Sequence, residues 1–183
     1  MENNLENSEV FKEILNDCVS EAKLSQEDIK KKQAKWDRRF MDLAKMIGSW
    51  STCVRGNRNV GSVIVKDKKI ISTGYNGAPV GIMSCQEKGY CMRNRLDIPS
   101  GTRAEMCFSN HSEQNALVQA ARLGISVNDA TIYVTHRPCT ICTKLLINAG
   151  IKRIVYAYGY PDEFAVKILE QSGIELLQLA DPE

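Results

Sequence analysis

The chain has 183 residues, of which 43% are hydrophobic and 25% are charged, and its formal net charge is +2 at pH 7. These values are ordinary for a globular protein with one domain and a sizeable core. They argue against a large cationic surface for nucleic acid, and no apolar run approaches the length of a membrane span. The first residues lack the basic and apolar regions of a secretion signal. We therefore expect a cytoplasmic protein whose 7 cysteines are metal ligands or free thiols rather than disulfides.

Two helices are predicted before the first strand. Apolar residues recur at helical spacing over 7–23, and a second helix is predicted from Ser25 to Gly48. We interpret 1–30 as an N-terminal helical extension that serves packing or subunit contact. The remaining residues, 31–183, are expected to form the main domain.

Five strands are predicted downstream, at 61–66, 69–74, 130–135, 152–157 and 174–178. The first two form a β-hairpin that turns through Asp67 and Lys68, and helices separate the later strands. Strands that alternate with helices predict an α/β fold, here a three-layer α/β/α sandwich around a mixed, mainly parallel five-stranded sheet. Functional sites in such folds lie beyond the carboxyl ends of strands.

The segment 81–108 has no strong helical or strand period, and it contains Cys85, Cys91 and Cys107. A weakly structured stretch of this length within a compact domain is usually functional or pinned. The sequence therefore predicts such a role for this segment.

A potential metal site is encoded by His111-Ser112-Glu113 and Pro138-Cys139-x-x-Cys142. One imidazole and two thiolates provide three ligands, which is one short of a closed tetrahedral zinc shell. An open fourth position holds water and distinguishes catalytic zinc from structural zinc. Zinc lowers the pKa of such a water to about 7. Glu113 is then placed to carry protons rather than to bind the metal.

Both motifs are predicted to begin helices. Residues i and i+2 of a regular helix do not share a face, so His111 and Glu113 can reach one centre only in the first turn. Ser109 or Asn110 is expected to cap that helix. Pro138 is expected at the first position of the second helix, where its missing N–H costs nothing.

Each motif also has an alternative interpretation when taken alone. Asn110-x-x-Glu113 resembles a capping box, which would make the glutamate structural. A C-x-x-C pair can be a redox pair or half of a structural zinc site. These alternatives do not explain why both motifs follow apolar runs and begin helices, so the combination favours catalytic zinc.

From Trp36 to its C-terminus, the chain resembles deoxycytidylate (dCMP) deaminases of the cytidine deaminase superfamily, including ComE-type late-competence members. The pattern H-x-E…P-C-x-x-C is the signature of zinc deaminases. Further shared pieces are Trp36-Asp37, Phe40-Met41, Ser51-Thr-Cys53, Val60-Gly61, Gly74-Tyr-Asn-Gly77, Tyr133-Val-Thr135 and Ile147-Asn-Ala-Gly-Ile151. The resemblance implies that His111, Cys139 and Cys142 bind Zn²⁺ and that Glu113 shuttles protons. Hydroxide would attack C4 of the cytosine, giving dUMP and ammonia.

The resemblance also implies three substrate-binding residues. Asn76 matches an Asn that contacts the sugar, and Arg55 resembles an Arg that reaches the 5′-phosphate; as an alternative, Arg55 is a solvated loop residue. Ser112 stands where the family generally has Ala. The backbone N–H expected to face the substrate is kept, and the extra hydroxyl is expected to alter which pyrimidine fits.

A second, structural zinc is implied by the same resemblance, because Cys53 and Cys85 match ligand positions of some family members. With Cys91 and Cys107, four thiolates would close a tetrahedral shell and pin the segment 81–108. The alternative is that these cysteines are small buried residues or free thiols.

Relatives in the family commonly form hexamers and respond to dCTP and dTTP, so the resemblance implies a homo-oligomer and allosteric nucleotides here. One alternative function is a related zinc deaminase that acts on another cytosine nucleotide or nucleoside, or on a purine base. Another is a non-enzymatic zinc-binding competence protein, although that interpretation has no use for Glu113. No membrane or nucleic-acid partner is expected.

Overall fold

The computed structural model describes residues 9–19, 25–56, 58–99 and 101–179. The chain divides into two compact units, Met1–Ala34 and Lys35–Glu183. The first unit contains α1 (Glu9–Val19) and the beginning of α2 (Gln26–Gly48). Both predicted N-terminal helices are confirmed, although 7–8 and 20–23 of the first prediction lie outside the described residues. The predicted division after residue 30 stays a prediction.

The second unit contains the rest of α2, five strands and several helices. They are β1 (Gly61–Lys66), β2 (Lys69–Tyr75), α3 (Cys85–Lys88), α4 (Met92–Arg95), a 3₁₀ turn (Ala104–Met106), α5 (Ser112–Arg122), β3 (Thr131–His136), α6 (Thr140–Asn148), β4 (Arg153–Tyr158), α7 (Glu163–Ser172) and β5 (Glu175–Gln178). None of the helices in the described ranges combines the length and apolar character needed to cross a membrane.

The five strands form one sheet in the order β2-β1-β3-β4-β5. β1 pairs antiparallel with β2 and with β3, whereas β3, β4 and β5 run parallel. The predicted mixed five-stranded sheet is confirmed, with parallel pairing in its second half only. The hairpin turns through Asp67 and Lys68 as predicted, and both residues have positive φ, 50° and 60°. That conformation suits the right-handed twist of the flanking strands.

Helices cover both faces of the sheet because successive strand residues point to opposite sides. On one face, Ile64 and Val134 pack with Ala116 of α5 and Leu146 of α6. On the other face, the neighbouring strand residues pack against α2; this cluster includes Val63, Tyr133, Val155, Phe40, Met41 and Ala44. The predicted three-layer α/β/α arrangement follows from these two clusters.

Gly74 allows the first turn of α5 to lie directly against β2. A Cβ atom at this position would be 2.1 Å from the backbone oxygen of Ser112 and 2.5 Å from the nitrogen of Ala116. Only glycine permits so close an approach of backbone to backbone. Because α5 begins at the metal-site motif, this contact fixes the position of that motif relative to the sheet.

Candidate metal centre and substrate cavity

Three potential metal ligands come together at the starts of α5 and α6. His111 and Cys139 are the N-cap residues of these helices, and Cys142 lies in the first turn of α6. His111 Nδ1 is 3.4 Å from the Sγ atom of each cysteine. Zinc in tetrahedral geometry, with bonds of about 2.1 Å to nitrogen and 2.3 Å to sulfur, would separate such atoms by roughly 3.6 Å. The three side chains therefore fit one zinc ion.

The protonation state of Cys139 also suits a metal. Hydrogen bonds from the Cys142 thiol and from His111 lower the pKa of Cys139 to about 4. Cys139 is thus a thiolate at neutral pH, and the thiolate is the form that binds zinc. Among the described residues, His111, Cys139 and Cys142 are the group of potential ligands gathered tightly enough to hold an ion.

Glu113 lies beside this centre and is 4% exposed. Burial raises the pKa of its carboxyl group, and the nearby His111 acts in the opposite direction. The Ser112 hydroxyl donates a hydrogen bond of 2.9 Å to Glu113 Oε2. A raised pKa makes a carboxylate a stronger base, so Glu113 accepts a proton more readily than an exposed glutamate would, as a general base must.

The alternative role of Glu113 as a capping residue does not hold. The backbone N–H of His111 donates to Gln114 Oε1 at 2.8 Å. Gln114, rather than Glu113, therefore accepts the capping hydrogen bond. The predicted caps, Ser109 and Asn110, are wrong because the backbone is still extended at His111, with ψ at 156°. The extended N-cap directs the imidazole toward the thiols.

The predicted place of Pro138 is also wrong. Cys139 is the N-cap of α6, so the proline precedes the cap instead of occupying the first helical position. β3 ends at His136, and only three residues separate it from the helix. The short connection brings Cys139 to the carboxyl end of a central strand, where ligand sites of α/β folds lie.

A cavity of about 510 Å³ opens beside the three ligands. Four arginines line it, together with one further histidine and a tyrosine: Arg55, Arg58, Arg93, Arg137, His136 and Tyr160. Glu113 is the only acidic side chain among the described lining residues. The cavity wall therefore carries an excess of positive charge, which favours an anionic ligand.

The sequence reasoning missed most of these cationic residues. His136 and Arg137 directly precede Pro138-Cys139 at the end of β3. Their position next to the metal-site motif was a sequence signal that could have identified them. Arg93 lies on the short helix α4 within the segment 81–108. This segment has no helical or strand periodicity that would have indicated a functional role for Arg93.

The three predicted substrate-binding residues all line the cavity. Asn76 accepts a hydrogen bond from Val60 N and donates one to Arg58 O, each at 2.9 Å, so its amide braces the loop before β1. Arg55 Nη2 donates to the Ile98 carbonyl at 2.8 Å. Their contacts with substrate stay predictions, and so does that of Ser112, whose hydroxyl is committed to Glu113.

The four cysteines predicted for a second zinc are free thiols. Cys85 and Cys91 are buried, and Cys53 and Cys107 are half-buried. Burial, followed by the influence of neighbouring thiols of this set, raises the pKa of Cys85. The four lie near one another, but they are not gathered as tightly as the three ligands of the first site. The second zinc stays a prediction.

Comparison with known proteins identifies related sequences. A family model described as the cytidine and deoxycytidylate deaminase zinc-binding region matches residues 34–158. The chain is 36% identical over 149 residues to the deoxycytidylate deaminase of Schizosaccharomyces pombe, covering 81% of this chain and 45% of that protein. It is also 36% identical over 146 residues to ComE operon protein 2 of Bacillus subtilis, covering 79% and 71% of the two chains. The chain thus spans less than half the length of the fungal relative.

Among solved structures, the dCMP deaminase of cyanophage S-TIM5 in apo form is similar, with a TM-score of 0.62 and 28% identity. The match covers 79% of this chain and 98% of that one. The same phage enzyme in complex with dCMP and dUMP matches with a TM-score of 0.57, also at 28% identity, over 85% and 99% of the chains. The family-model match, over residues 34–158, spans β1 to β4 and so extends well beyond the metal-ligand motifs.

Proposed function

Because the chain belongs to the cytidine and deoxycytidylate deaminase family, we propose that it hydrolytically deaminates dCMP to dUMP and ammonia. The observation that carries this proposal is a three-ligand centre beside one buried carboxyl group in a cationic cavity. The names of its relatives support dCMP as the substrate.

In the proposed mechanism, His111, Cys139 and Cys142 would hold a zinc ion, which when bound would supply Lewis-acid activation of water. Glu113 receives the proton from the attacking water and delivers it to N3 of the cytosine. Glu113 then takes the second proton from the hydroxyl group now on C4 and passes it to the exocyclic amine, so that the C4–N bond breaks and ammonia leaves. Because the Ser112 hydroxyl anchors Oε2, the carboxyl group keeps one orientation while the proton moves between water and ring.

Substrate binding falls to the remaining cavity residues. Asn76 contacts the sugar with the free hydrogen-bonding capacity of its amide. Arg55 binds the 5′-phosphate, and a planar guanidinium suits this task because it can donate two parallel hydrogen bonds. Its Nη1 is buried without a partner among the described residues, so an anion would satisfy it.

A substrate panel tests the proposal. The zinc-loaded protein is assayed in the steady state with dCMP, CMP, dCTP, deoxycytidine, cytidine and guanine. We expect the highest kcat/KM for dCMP. A clear preference for another compound would replace the substrate, and no deamination by fully zinc-loaded protein would favour a non-enzymatic competence protein.

We also propose that Cys53, Cys85, Cys91 and Cys107 bind a second, structural zinc after small side-chain movements. Support comes from their burial and their mutual proximity. Elemental analysis separates the two cases: two zinc ions per chain are expected, falling to one in Cys85→Ser. One zinc in the unaltered chain would refute the second site.

Assembly, regulation and location follow the same family relationship. We propose a homo-oligomer, with a hexamer as the form to test by light scattering, and regulation by dCTP and dTTP. A cytoplasmic location is proposed because free thiols suit a reducing compartment.

A further inference from the structure

Arg93 is a buried cation that forms no ion pair with a carboxylate in the described part of the chain. The residue is 8% exposed. Its Nη2 atom donates to the carbonyl oxygens of Pro99 and Thr102, each at 2.6 Å. These carbonyls satisfy part of the guanidinium, but they are neutral. Among the described residues no carboxylate forms an ion pair with Arg93, and a buried charge is stable only when it is paired.

The nearby acidic side chain does not fill this role. Glu105, on the adjacent 3₁₀ turn, forms its ion pair with Arg103 at 3.2 Å, and both side chains are 66% exposed. The charge of Arg93 contributes to the lowered pKa of Glu105, as that of Arg137 does for Asp162, but Arg93 forms no ion pair with Glu105 among the described residues. Of the four arginines described in the cavity wall, Arg93 is the most buried, so its charge gains most from an anionic ligand.

The guanidinium of Arg93 also lies where a ligand can reach it. Arg93 lines the main cavity and a smaller adjoining one of about 160 Å³, and both cavities border His111 and Cys139. Nε is buried without a partner, and Nη1 has no hydrogen-bond partner in the described part of the chain. Two carbonyls hold Nη2 in place, so the remaining edge of the guanidinium is preorganised rather than mobile.

We propose that Arg93 binds the 5′-phosphate of the substrate through this free edge and thereby selects a nucleotide over a nucleoside. The inference rests on the proposed deaminase function and names a specificity-determining residue outside the metal-site motifs. Arg55 reaches the same cavity from the loop before β1, so the phosphate lies between two guanidinium groups. The segment 81–108 thus has a role in substrate selection, because its helix α4 places Arg93 in the cavity wall.

The test compares Arg93→Gln and Arg93→Lys with the matched control Arg95→Gln. Arg95 lies on the same short helix, is exposed and stacks on Tyr90, outside the cavity. For Arg93→Gln we expect kcat/KM for dCMP to fall about 10- to 100-fold, mainly through KM, while activity on deoxycytidine stays unchanged. Arg93→Lys keeps the charge and is expected to lose less. Arg95→Gln is expected to match the unaltered protein on both substrates.

Calorimetry provides a readout that does not depend on turnover. Arg93→Gln is expected to weaken dUMP binding by the same factor and to leave deoxyuridine binding unchanged. A merely structural role in holding the loop would weaken both ligands equally, and this result would overturn the proposal, as would unchanged dUMP binding. If Arg93→Gln does not fold, the same comparison is made with Arg93→Lys. A fall in dUMP binding relative to deoxyuridine binding supports the proposal, and an equal change in both overturns it. Absence of dCMP turnover in the unaltered protein would instead refute the proposed function.

Discussion

The buried ion pair between α2 and the sheet gives a stability prediction that can be worked out from its geometry. Asp37 accepts hydrogen bonds from Arg153 Nη1 and Nη2 at 2.8 and 2.9 Å and from the Tyr133 hydroxyl at 2.8 Å. The side chains of the ion pair are 3% and 14% exposed. In Asp37→Asn, the charge of Arg153 would remain largely buried without its main partner.

Removing one partner of a buried pair costs about 3–5 kcal/mol. We expect the lower end of this range, about 3 kcal/mol, because Arg153 keeps a second carboxylate, Glu175 Oε1, at 2.7 Å. In a domain of this size that loss lowers Tm by roughly 6–12 °C. The matched control Glu175→Gln neutralises a side chain that is 64% exposed, and it is expected to cost about 0–1 kcal/mol.

Both variants are unfolded by heat and by urea at saturating zinc and followed by far-UV circular dichroism. Zinc is held constant because a ligand that binds the folded state raises Tm by itself. Equal free energies of unfolding for Asp37→Asn and Glu175→Gln would refute the reasoning, since the buried partner would then contribute no more than the exposed one.

Two further predictions concern Ser112, which hydrogen-bonds to Glu113, and Asp162, which hydrogen-bonds to the start of α6. Ser112→Ala removes the hydrogen bond to Glu113 Oε2, so we expect kcat for dCMP to fall about 10-fold with KM unchanged; a change in KM alone would show that the hydroxyl contacts the pyrimidine instead. Asp162 accepts hydrogen bonds from Thr140 N, Thr140 Oγ1 and Ala165 N. Burial opposes ionisation of Asp162, but the hydrogen bonds from these backbone N–H groups outweigh it and lower its pKa. Since the folded pKa is the lower one, the carboxylate stabilises the fold above the unfolded pKa of about 3.9, and this contribution is lost as pH falls through the folded pKa. Urea unfolding of Asp162→Asn should therefore show full destabilisation at pH 6 and a shrinking difference below about pH 4; a difference independent of pH would contradict this assignment.

The sequence predicted the features that depend on local spacing. The hairpin turn at Asp67 and Lys68 and the convergence of His111 with the Cys139 and Cys142 thiols follow from short-range patterns. The helix caps were wrong by one or two residues because the ligand residues themselves take the N-cap positions. An imidazole and a thiol are uncommon caps, so propensity favoured their polar neighbours.

Features that depend on long-range packing could not be predicted in the same way. The pairing of β1 with β3 is antiparallel, and nothing in either strand alone specifies it. Arg93 is brought to the cavity by α4 and held there by carbonyls six and nine residues away. Its burial is visible only in three dimensions, because the surrounding sequence has the composition of an exposed loop.

The most direct test of proton transfer by Glu113 is the variant Glu113→Gln, measured for zinc content and for turnover of dCMP in the same preparation. The amide fills the same buried space but cannot take up or release the proton. We predict unchanged zinc at the site of His111, Cys139 and Cys142 and a kcat lowered about 10²- to 10⁴-fold. Turnover close to that of the unaltered protein at full zinc content would contradict the role of Glu113, and loss of zinc would show that its carboxylate is a ligand instead.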